Sequence, residues 1–547
     1  MALTGADLLV LELKRQGVTW VSTVCGNGLN QFHQSCQKAS IRLIDTHNEQ
    51  AAAYMADAYA RLTGRVGVCA VSSGIAHSNA LTGVANAFFD GSPLLLLTGA
   101  SAGYGADRGV FQEFNQVALA EPICKFAKCV GRASDIVFLT RQAFAKALGG
   151  RPGPVHLTIP ADVLEAEVEA PNEFQKENIS ENSYNESVEP DSVSKAVSVI
   201  ERSHNPLIIA GSGVFYAKGQ NPMIHFSEAT AIPIVTPIWD RGAVDKPHPN
   251  FLGVIGAASG EPRLIEDTDL IILAGTRVDY RVGYLMPPKV SEKTFIIRID
   301  NDACEMNQGI EPDLCFSASP SLVFDLLTRT MVLKGTTPHT KWLKEAQERW
   351  QLFRSRWIEG GRLMNSGWHI VKAIQPLLEE DIVLLIDGGN IGQWAHMLLA
   401  TDHYPANWLT CGASAVVGWG LPGAMAAKLV YPNRPVLLLS GDGSFGFTIT
   451  ELESAVRQDL PFVAVVANDR AWGIVVSDQL KRYGKEGVIA SRFGSIRYDK
   501  TAEALGARGV RIENLKELTP AIQEGFSANV PVVIDVPISI LAPSDIK

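Results

Sequence analysis

Residues 435–469 read "PVLLLSGDGSFGFTITELESAVRQDLPFVAVVAND". "PVLLLSGDG" is an apolar run that ends in a glycine turn, "TELESAVRQ" sets Leu452, Ala455 and Val456 on one helical face, and "PFVAVVAND" is a second apolar run. That order is a βαβ unit, in which the crossover helix returns the chain so that both strands run the same way. Asp442 and Asp469, 27 residues apart, therefore emerge at one carboxyl edge, where open α/β sheets bind ligands. Two carboxylates side by side repel unless a cation joins them. A hard Mg²⁺ ion with few protein ligands, completed by phosphate oxygens, suits such a pair. Gly441 and Gly443 let the backbone approach a phosphate, and the N–H groups of Gly443 and Ser444 are placed to donate to it. Spacing alone leaves a second reading open, with Asp442 a turn residue and Asp469 a helix cap.

Similar punctuation runs through the rest of the chain. "DIVLLIDGG" and "VPVVIDVP" flank the opening stretch, and "PLIIAGSG", "DLIILAGTRV" and "FIIRID" form an earlier block. Runs this apolar suit parallel strands covered on both faces. The polar stretch 169–192 lacks hydrophobic periodicity and reads as a linker. The expectation is three doubly wound parallel-sheet α/β domains, at 1–170, 190–335 and 360–547, which agrees with a 547-residue length.

A net charge of −10 speaks against a phosphate-backbone binder, so no nucleic-acid partner is expected. The first residues read as an amphipathic helix broken by Glu12, Lys14 and Arg15, and no window holds 18 uninterrupted apolar residues, so no membrane association is expected. Eight scattered cysteines without a CxxC pair read as reduced and mostly buried, in keeping with a cytoplasmic protein.

"GDGS…NDRAWG" resembles the diphosphate-magnesium signature of thiamine-diphosphate (ThDP) enzymes of the acetolactate synthase, pyruvate oxidase, benzaldehyde lyase and 2-hydroxyacyl-CoA lyase group. The resemblance implies that Asp442 and Asp469 are side-chain Mg²⁺ ligands and that the Ala471 carbonyl is a third. The family more often carries Asn where this chain has Asp469, which makes the site one charge more negative. Such an enzyme also needs a carboxylate against the aminopyrimidine of its cofactor. "HNEQAAAYMADAYARLTG" resembles the element that supplies it, which assigns the role to Glu49. From spacing alone, Thr46 and Glu49 equally match an N-terminal capping box.

Further resemblances span the chain. "SSGIAHSNALTGVANAFFDGSP" keeps the family's Gly74, Asn79, Gly83, Asp90 and Pro93, with Asn79 a cofactor-side candidate; Ile75 and Ala76 replace the usual Pro-Gly. "GVFQEF" places Gln112 near the substrate. "GASAVVGWGLPG" implies that the Ala415 carbonyl takes the cofactor's amino group and that Val417 wedges it into its bent shape. "IDGGN" adds Gly389 and Asn390 on the diphosphate side. Asn27, His77, Gln112 and Trp472 are the candidates for substrate choice. An amide at Asn27 can hold a carbonyl but cannot shuttle protons, whereas His77, read as a loop residue, could shuttle them or serve only as a structural hydrogen-bond partner.

The implied function is a ThDP- and Mg²⁺-dependent carbon-carbon lyase or carboligase. It would act on a small carbonyl substrate, a 2-keto acid or 2-hydroxy carbonyl compound, through a thiazolium-bound enamine. The adjacent His pair of simple 2-keto acid decarboxylases is missing from the first 120 residues, which ranks release of a free aldehyde lower. A 2-hydroxyacyl-CoA lyase is an alternative, although no distinct basic cluster near the C-terminus marks a CoA phosphate site. A flavin-dependent pyruvate-type oxidase is another, with FAD or ADP in the central domain as the disfavoured addition. The family's active site lies between subunits, which implies a homodimer or homotetramer.

Overall fold

A computed structural model describes residues 3–105, 108–168, 188–240, 242–257, 260–362, 366–379, 381–403 and 407–540. Most of the expected linker, 169–187, lies outside the described residues. Three six-stranded parallel sheets flanked by helices follow one another along the chain.

The first sheet contains β1 (Trp20–Val24), β2 (Arg42–Asp45), β3 (Gly67–Val71), β4 (Leu94–Ala100), β5 (Phe126–Cys129) and β6 (Val155–Pro160), in the spatial order 2-1-3-4-6-5. The second contains β7 (Pro206–Ala210), β8 (Ile234–Pro237), β9 (Phe251–Ile255), β10 (Leu270–Ala274), β11 (Phe295–Asp300) and β12 (Leu314–Ser317), in the order 9-8-7-10-11-12. The third contains β13 (Val383–Asp387), β14 (Trp408–Thr410), β15 (Val436–Gly441), β16 (Val463–Asn468), β17 (Arg508–Arg511) and β18 (Val532–Pro537), in the order 14-13-15-16-18-17. The outer domains thus share one topology, and the central domain has the order of a dinucleotide-binding fold. In every sheet the order reverses beside the first strand, and that crevice is where a ligand is expected.

Six helices position the site: α1 (Glu49–Thr63), α2 (Ile75–Asp90), α3 (Gly389–Leu399), α4 (Gly420–Val430), α5 (Asp442–Phe447) and α6 (Gly473–Tyr483). The first and third domains pack through α1 against α4, where Tyr54, Met55 and Leu62 share a core with Trp419, Leu421 and Met425. Small residues on both helices, Ala58 on one and Ala424 on the other, permit the close approach. A buried polar cluster locks the same junction. Asp57 accepts from the Trp419 indole at 2.8 Å, Arg61 donates to the Thr410 carbonyl at 2.8 Å, and Asp90 accepts from the Ala413 N–H at 2.8 Å.

All eight cysteines are free, but only Cys36, Cys69 and Cys411 are buried; Cys25, Cys129, Cys304 and Cys315 are exposed. The expectation that most are buried therefore fails, because Cys25 and Cys129 lie at strand ends, Cys304 on a short helix and Cys315 on the outward face of the outermost strand, β12. No helix among the described residues is long and apolar enough to cross a membrane.

Candidate active site

A cavity of about 200 Å³ opens at the reversal point of the third sheet, beyond the ends of β13, β15 and β16. Three helices begin at its wall: α3 with Gly389 and Asn390, α5 with Asp442, Gly443 and Ser444, and α6 with Gly473, Ile474 and Val475. First-turn N–H groups have no partner within their own helix, so three such starts converging on one space make a strong anion site. Gly388, at φ 46°, takes a left-handed turn into α3, and a Cβ there would lie 1.8 Å from Ser444 Oγ. Glycine is what lets this backbone pass so close to α5.

Asp442 and Asp469 meet in this cavity because Gly441 pairs with Ala467 across the parallel ladder. They share a hydrogen bond, and both carboxyls are pushed above their ordinary range, first by burial; Asp469 is raised further by the charge of Asp442. Asp469 Oδ1 accepts from the Ala471 N–H at 3.1 Å, while Oδ2 faces Asn390 Nδ2 at 3.5 Å. Asp469 caps no helix, since α6 starts four residues later at Gly473 behind Trp472, without a side-chain cap. Arg470 between the two site residues holds φ 57°, a conformation that aims Ala471 back at the pair. The buried Asn390 Oδ1 has no partner among the described residues.

This donor set fits a hard divalent cation. Two adjacent buried carboxylates, both raised above their ordinary range and set where three helices begin, suit a metal ion bridged to phosphate. No group of three or more His, Cys, Asp or Glu side chains arranged to hold a metal ion exists among the described residues, so the other ligands would be backbone carbonyl, side-chain amide or hydroxyl, phosphate or water. Ala415 and Val417 line the same cavity, and Ala415 holds φ 54°, strain of the kind that persists where surrounding contacts fix the backbone. Trp472 is also at the wall, its ring edge-on to Phe493 at 5.1 Å.

The remaining sequence candidates gather at the corresponding edge of the first sheet. Glu49 is the first residue of α1, behind an Asn48 cap whose side chain accepts from the Gln50 N–H. Thr46 is not the cap; its hydroxyl donates to the Asn48 carbonyl at 2.9 Å. With Glu49 at the first helical position its carboxylate cannot close a capping box, and it accepts from Asn79 Nδ2 at 3.0 Å. Asn27 and Gln112 meet through Ser73, whose hydroxyl lies 3.4 Å from the first amide and 3.2 Å from the second. Gln112 holds φ 56°.

His77 differs from its sequence reading: it lies in the first turn of α2 rather than in a loop, is fully buried, and bonds Thr98 Oγ1 at 3.0 Å. Burial pushes its pKa down to about 4, so it is neutral at physiological pH. Among the described residues, none from the first domain lines the cavity.

Matches to known proteins agree with this geometry. Residues 3–119 match the N-terminal thiamine pyrophosphate (TPP) binding domain of TPP enzymes, 193–327 their central domain, and 387–536 their C-terminal TPP binding domain. The chain belongs to the thiamine pyrophosphate enzymes. It is 28% identical to a probable acetolactate synthase large subunit of Methanococcus aeolicus, over 97% of this chain and 92% of that protein. It is 29% identical to human 2-hydroxyacyl-CoA lyase 2, over 94% and 86%, and 27% identical to the acetolactate synthase large subunit of Haemophilus influenzae, over 96% and 92%.

In this thiamine pyrophosphate enzyme the cavity wall also includes Gln393, His396, Cys411, Val475 and Trp239, none of which stood out in the sequence. For Gln393 and His396 a signal existed, since both follow Asn390 at helical spacing on α3. Trp239 comes from the central domain and had no local signal.

Proposed function

We propose that the protein is a Mg²⁺-dependent ThDP lyase or carboligase that makes or breaks a carbon-carbon bond next to a carbonyl. Its substrates are 2-keto acids or 2-hydroxy carbonyl compounds, in the manner of acetolactate synthases or benzaldehyde lyases. The observation that carries this reading is the convergence of three helix N-termini on the Asp442–Asp469 pair.

Bound ThDP supplies a nucleophilic thiazolium carbon and an electron sink. Around it, Asp442, Asp469 and the Ala471 carbonyl hold Mg²⁺, and Gly441, Gly443, Ser444, Gly389 and Asn390 hold the diphosphate. The Ala415 carbonyl, Val417 and Trp472 seat the rings. Glu49 holds and exchanges a proton at the pyrimidine, Asn79 orients it, and Asn27 and Gln112 position the substrate carbonyl. His77, neutral and buried, braces Thr98 on β4.

Because no first-domain residue lines the cavity among the described residues, Glu49 serves the cavity of a second copy, and a homodimer is the minimum active unit, with a homotetramer its doubling. Exposed apolar side chains on both half-sites support that pairing: Phe111 is 70% exposed, Ile75 58%, Phe447 53% and Val475 47%. A cytoplasmic location is supported by the eight free thiols.

A 2-hydroxyacyl-CoA lyase activity is the second reading, favoured by the 29% identity to the human enzyme of that name. An FAD-dependent oxidase is disfavoured. At the reversal point of the central sheet the cavity measures only about 100 Å³, and Asp240 Oδ2 already accepts from the Ser212 N–H at 3.2 Å, where a dinucleotide phosphate would sit.

The deciding experiment incubates the protein with ThDP, Mg²⁺ and either pyruvate or a 2-hydroxyacyl-CoA, quenches in acid and weighs the recovered cofactor. A mass gain with pyruvate supports the synthase-type reading, and a gain only with the CoA ester moves it to the lyase. Absence of Mg²⁺-dependent ThDP uptake refutes both.

A further inference from the structure

Trp239 is the only residue from outside the C-terminal domain, among the described residues, that lines the cavity. It follows β8, at the carboxyl edge of the central sheet, and holds φ 72°, in the left-handed region that a bulky side chain rarely occupies. Such strain persists only where neighbours over-determine the backbone. Here they do. Arg281, 2% exposed, donates from Nη1 to the Ile238 carbonyl at 3.0 Å and to Asp240 Oδ1 at 2.5 Å, so it grips the residues on both sides of Trp239. Asp279 takes the remaining face of the guanidinium, at 3.2 Å from Nε and 2.8 Å from Nη2. The second oxygen of Asp240 accepts from the Ser212 N–H at 3.2 Å and from Thr276 Oγ1 at 3.3 Å, on the turns after β7 and β10. On the far side, the Trp239 carbonyl accepts from Thr410 Oγ1 at 3.2 Å, and Thr410 leads directly into the loop that carries Ala415 and Val417.

The central domain thus closes the turns at its own reversal point with a carboxylate and uses the same segment to place Trp239 at the wall of the neighbouring domain's cavity. We infer that Trp239 is a specificity-determining wall of the active site, setting the size of the group accepted beside the cofactor rings. Arg281, Asp240 and Thr410 are the positioning residues that hold it there. A tryptophan suits this task, because a large rigid surface with two side-chain torsions gives a fixed boundary once its backbone is clamped. The inference rests on the ThDP reading of the cavity and adds to it a residue that acts on substrate choice.

The test uses the full-length chain with ThDP and Mg²⁺, and the variants Trp239→Phe, Trp239→Ala and Thr410→Val. Intrinsic fluorescence is followed during ThDP titration in the presence of Mg²⁺, and kcat/KM is compared across 2-keto acids from pyruvate to branched and aromatic members. Trp472 at the same wall is expected to keep part of the ThDP-induced quenching in every variant, and a measurable share of the wild-type signal is expected to disappear in Trp239→Phe, although both proteins still take up the cofactor. Trp239→Ala is expected to shift the kcat/KM ratio of bulky over small donors by about tenfold, the scale at which pocket walls discriminate. Thr410→Val keeps the indole but releases its tether, and should shift both readouts the same way by less. A merely structural role would lower thermal stability and leave the donor ratio unmoved.

Equal quenching in wild type and Trp239→Phe, or an unchanged donor ratio in folded Trp239→Ala, overturns the inference. Were Trp239→Ala not to fold, the quenching and donor ratio of the other two variants decide. A wild-type protein that takes up no ThDP overturns the reading beneath it, and does so before any variant is made.

Discussion

Asn79 Nδ2 donates to Glu49 Oε2 at 3.0 Å, tying the first residue of α1 to the second turn of α2. One carboxylate oxygen is thereby fixed, and the other has no protein partner among the described residues. That is the arrangement a proton-exchanging group requires. Replacing Glu49 with Gln should lower turnover by about 10²- to 10⁴-fold while ThDP uptake stays within a few-fold of wild type. Asn79→Ala should act more mildly, about tenfold on kcat, because it loosens the carboxylate without removing it. Steady-state kinetics beside a ThDP titration check both. An active Glu49→Gln enzyme would remove Glu49 from the chemistry.

The Asp442–Asp469 pair predicts a pH trend. Burial raises both groups and the charge of Asp442 raises Asp469 further, up to about 8, so the metal-free folded chain keeps a proton that the unfolded chain releases at ordinary carboxylate pH. The pair's contribution to stability is therefore fully present below about pH 4 and is lost as pH rises through the raised values. In the proposed site Mg²⁺ would replace that proton. The gain in melting temperature on adding Mg²⁺ and ThDP should be larger at pH 8 than at pH 5.5. Asp469→Asn should flatten the trend yet keep metal binding within about tenfold, since an amide oxygen still ligates, whereas Asp442→Ala should abolish it.

Gly473 opens α6 against the Asp442–Asp469 pair, and a Cβ there would lie 2.3 Å from Asp469 Oδ2 and 2.4 Å from Asn390 Nδ2. Gly473→Ala should displace both side chains. A loss of Mg²⁺ affinity of at least about tenfold is expected, with a stability cost of about 1–3 kcal/mol. Calorimetric titration and urea unfolding measure the two effects separately.

Arg61 lies between Asp90 at 3.3 Å and Asp57 at 3.7 Å, all three buried, and donates to the Thr410 carbonyl. Its removal leaves two carboxylates facing each other in the junction that anchors the 410–419 loop. Arg61→Met should cost about 3–5 kcal/mol and weaken ThDP binding as the loop loosens. The added variants Asp57→Asn and Asp90→Asn should recover much of that loss in urea unfolding, because the uncompensated charges are gone.

The third domain was legible because its strands are apolar runs with glycine turns, a pattern that parallel burial imposes directly. Asp442 and Asp469 followed from topology alone: two strands of one βαβ unit must end at one edge. Local competition was harder to read. Thr46 and Asn48 are both good caps, and Asn48 prevails with its side chain on the Gln50 N–H at 2.7 Å, which moves Glu49 to a position where it is free for other work. His77 was misplaced because Ile75 and Ala76 start a helix where a loop was expected. Trp239 could not be found at all, since its position depends on Arg281 and Thr410, 42 and 171 residues away in the chain.

The central claim, that Glu49 of one copy completes the cavity of another, is tested most directly by subunit complementation. Glu49→Gln and Asp442→Ala chains, each inactive alone, are co-expressed and their carboligase or lyase turnover is measured per chain. A shared site restores about a quarter of wild-type activity, because half of the dimers are mixed and each mixed dimer holds one intact site. No recovery from a mixture shown to contain mixed dimers would contradict the account and place both residues in the site of a single chain.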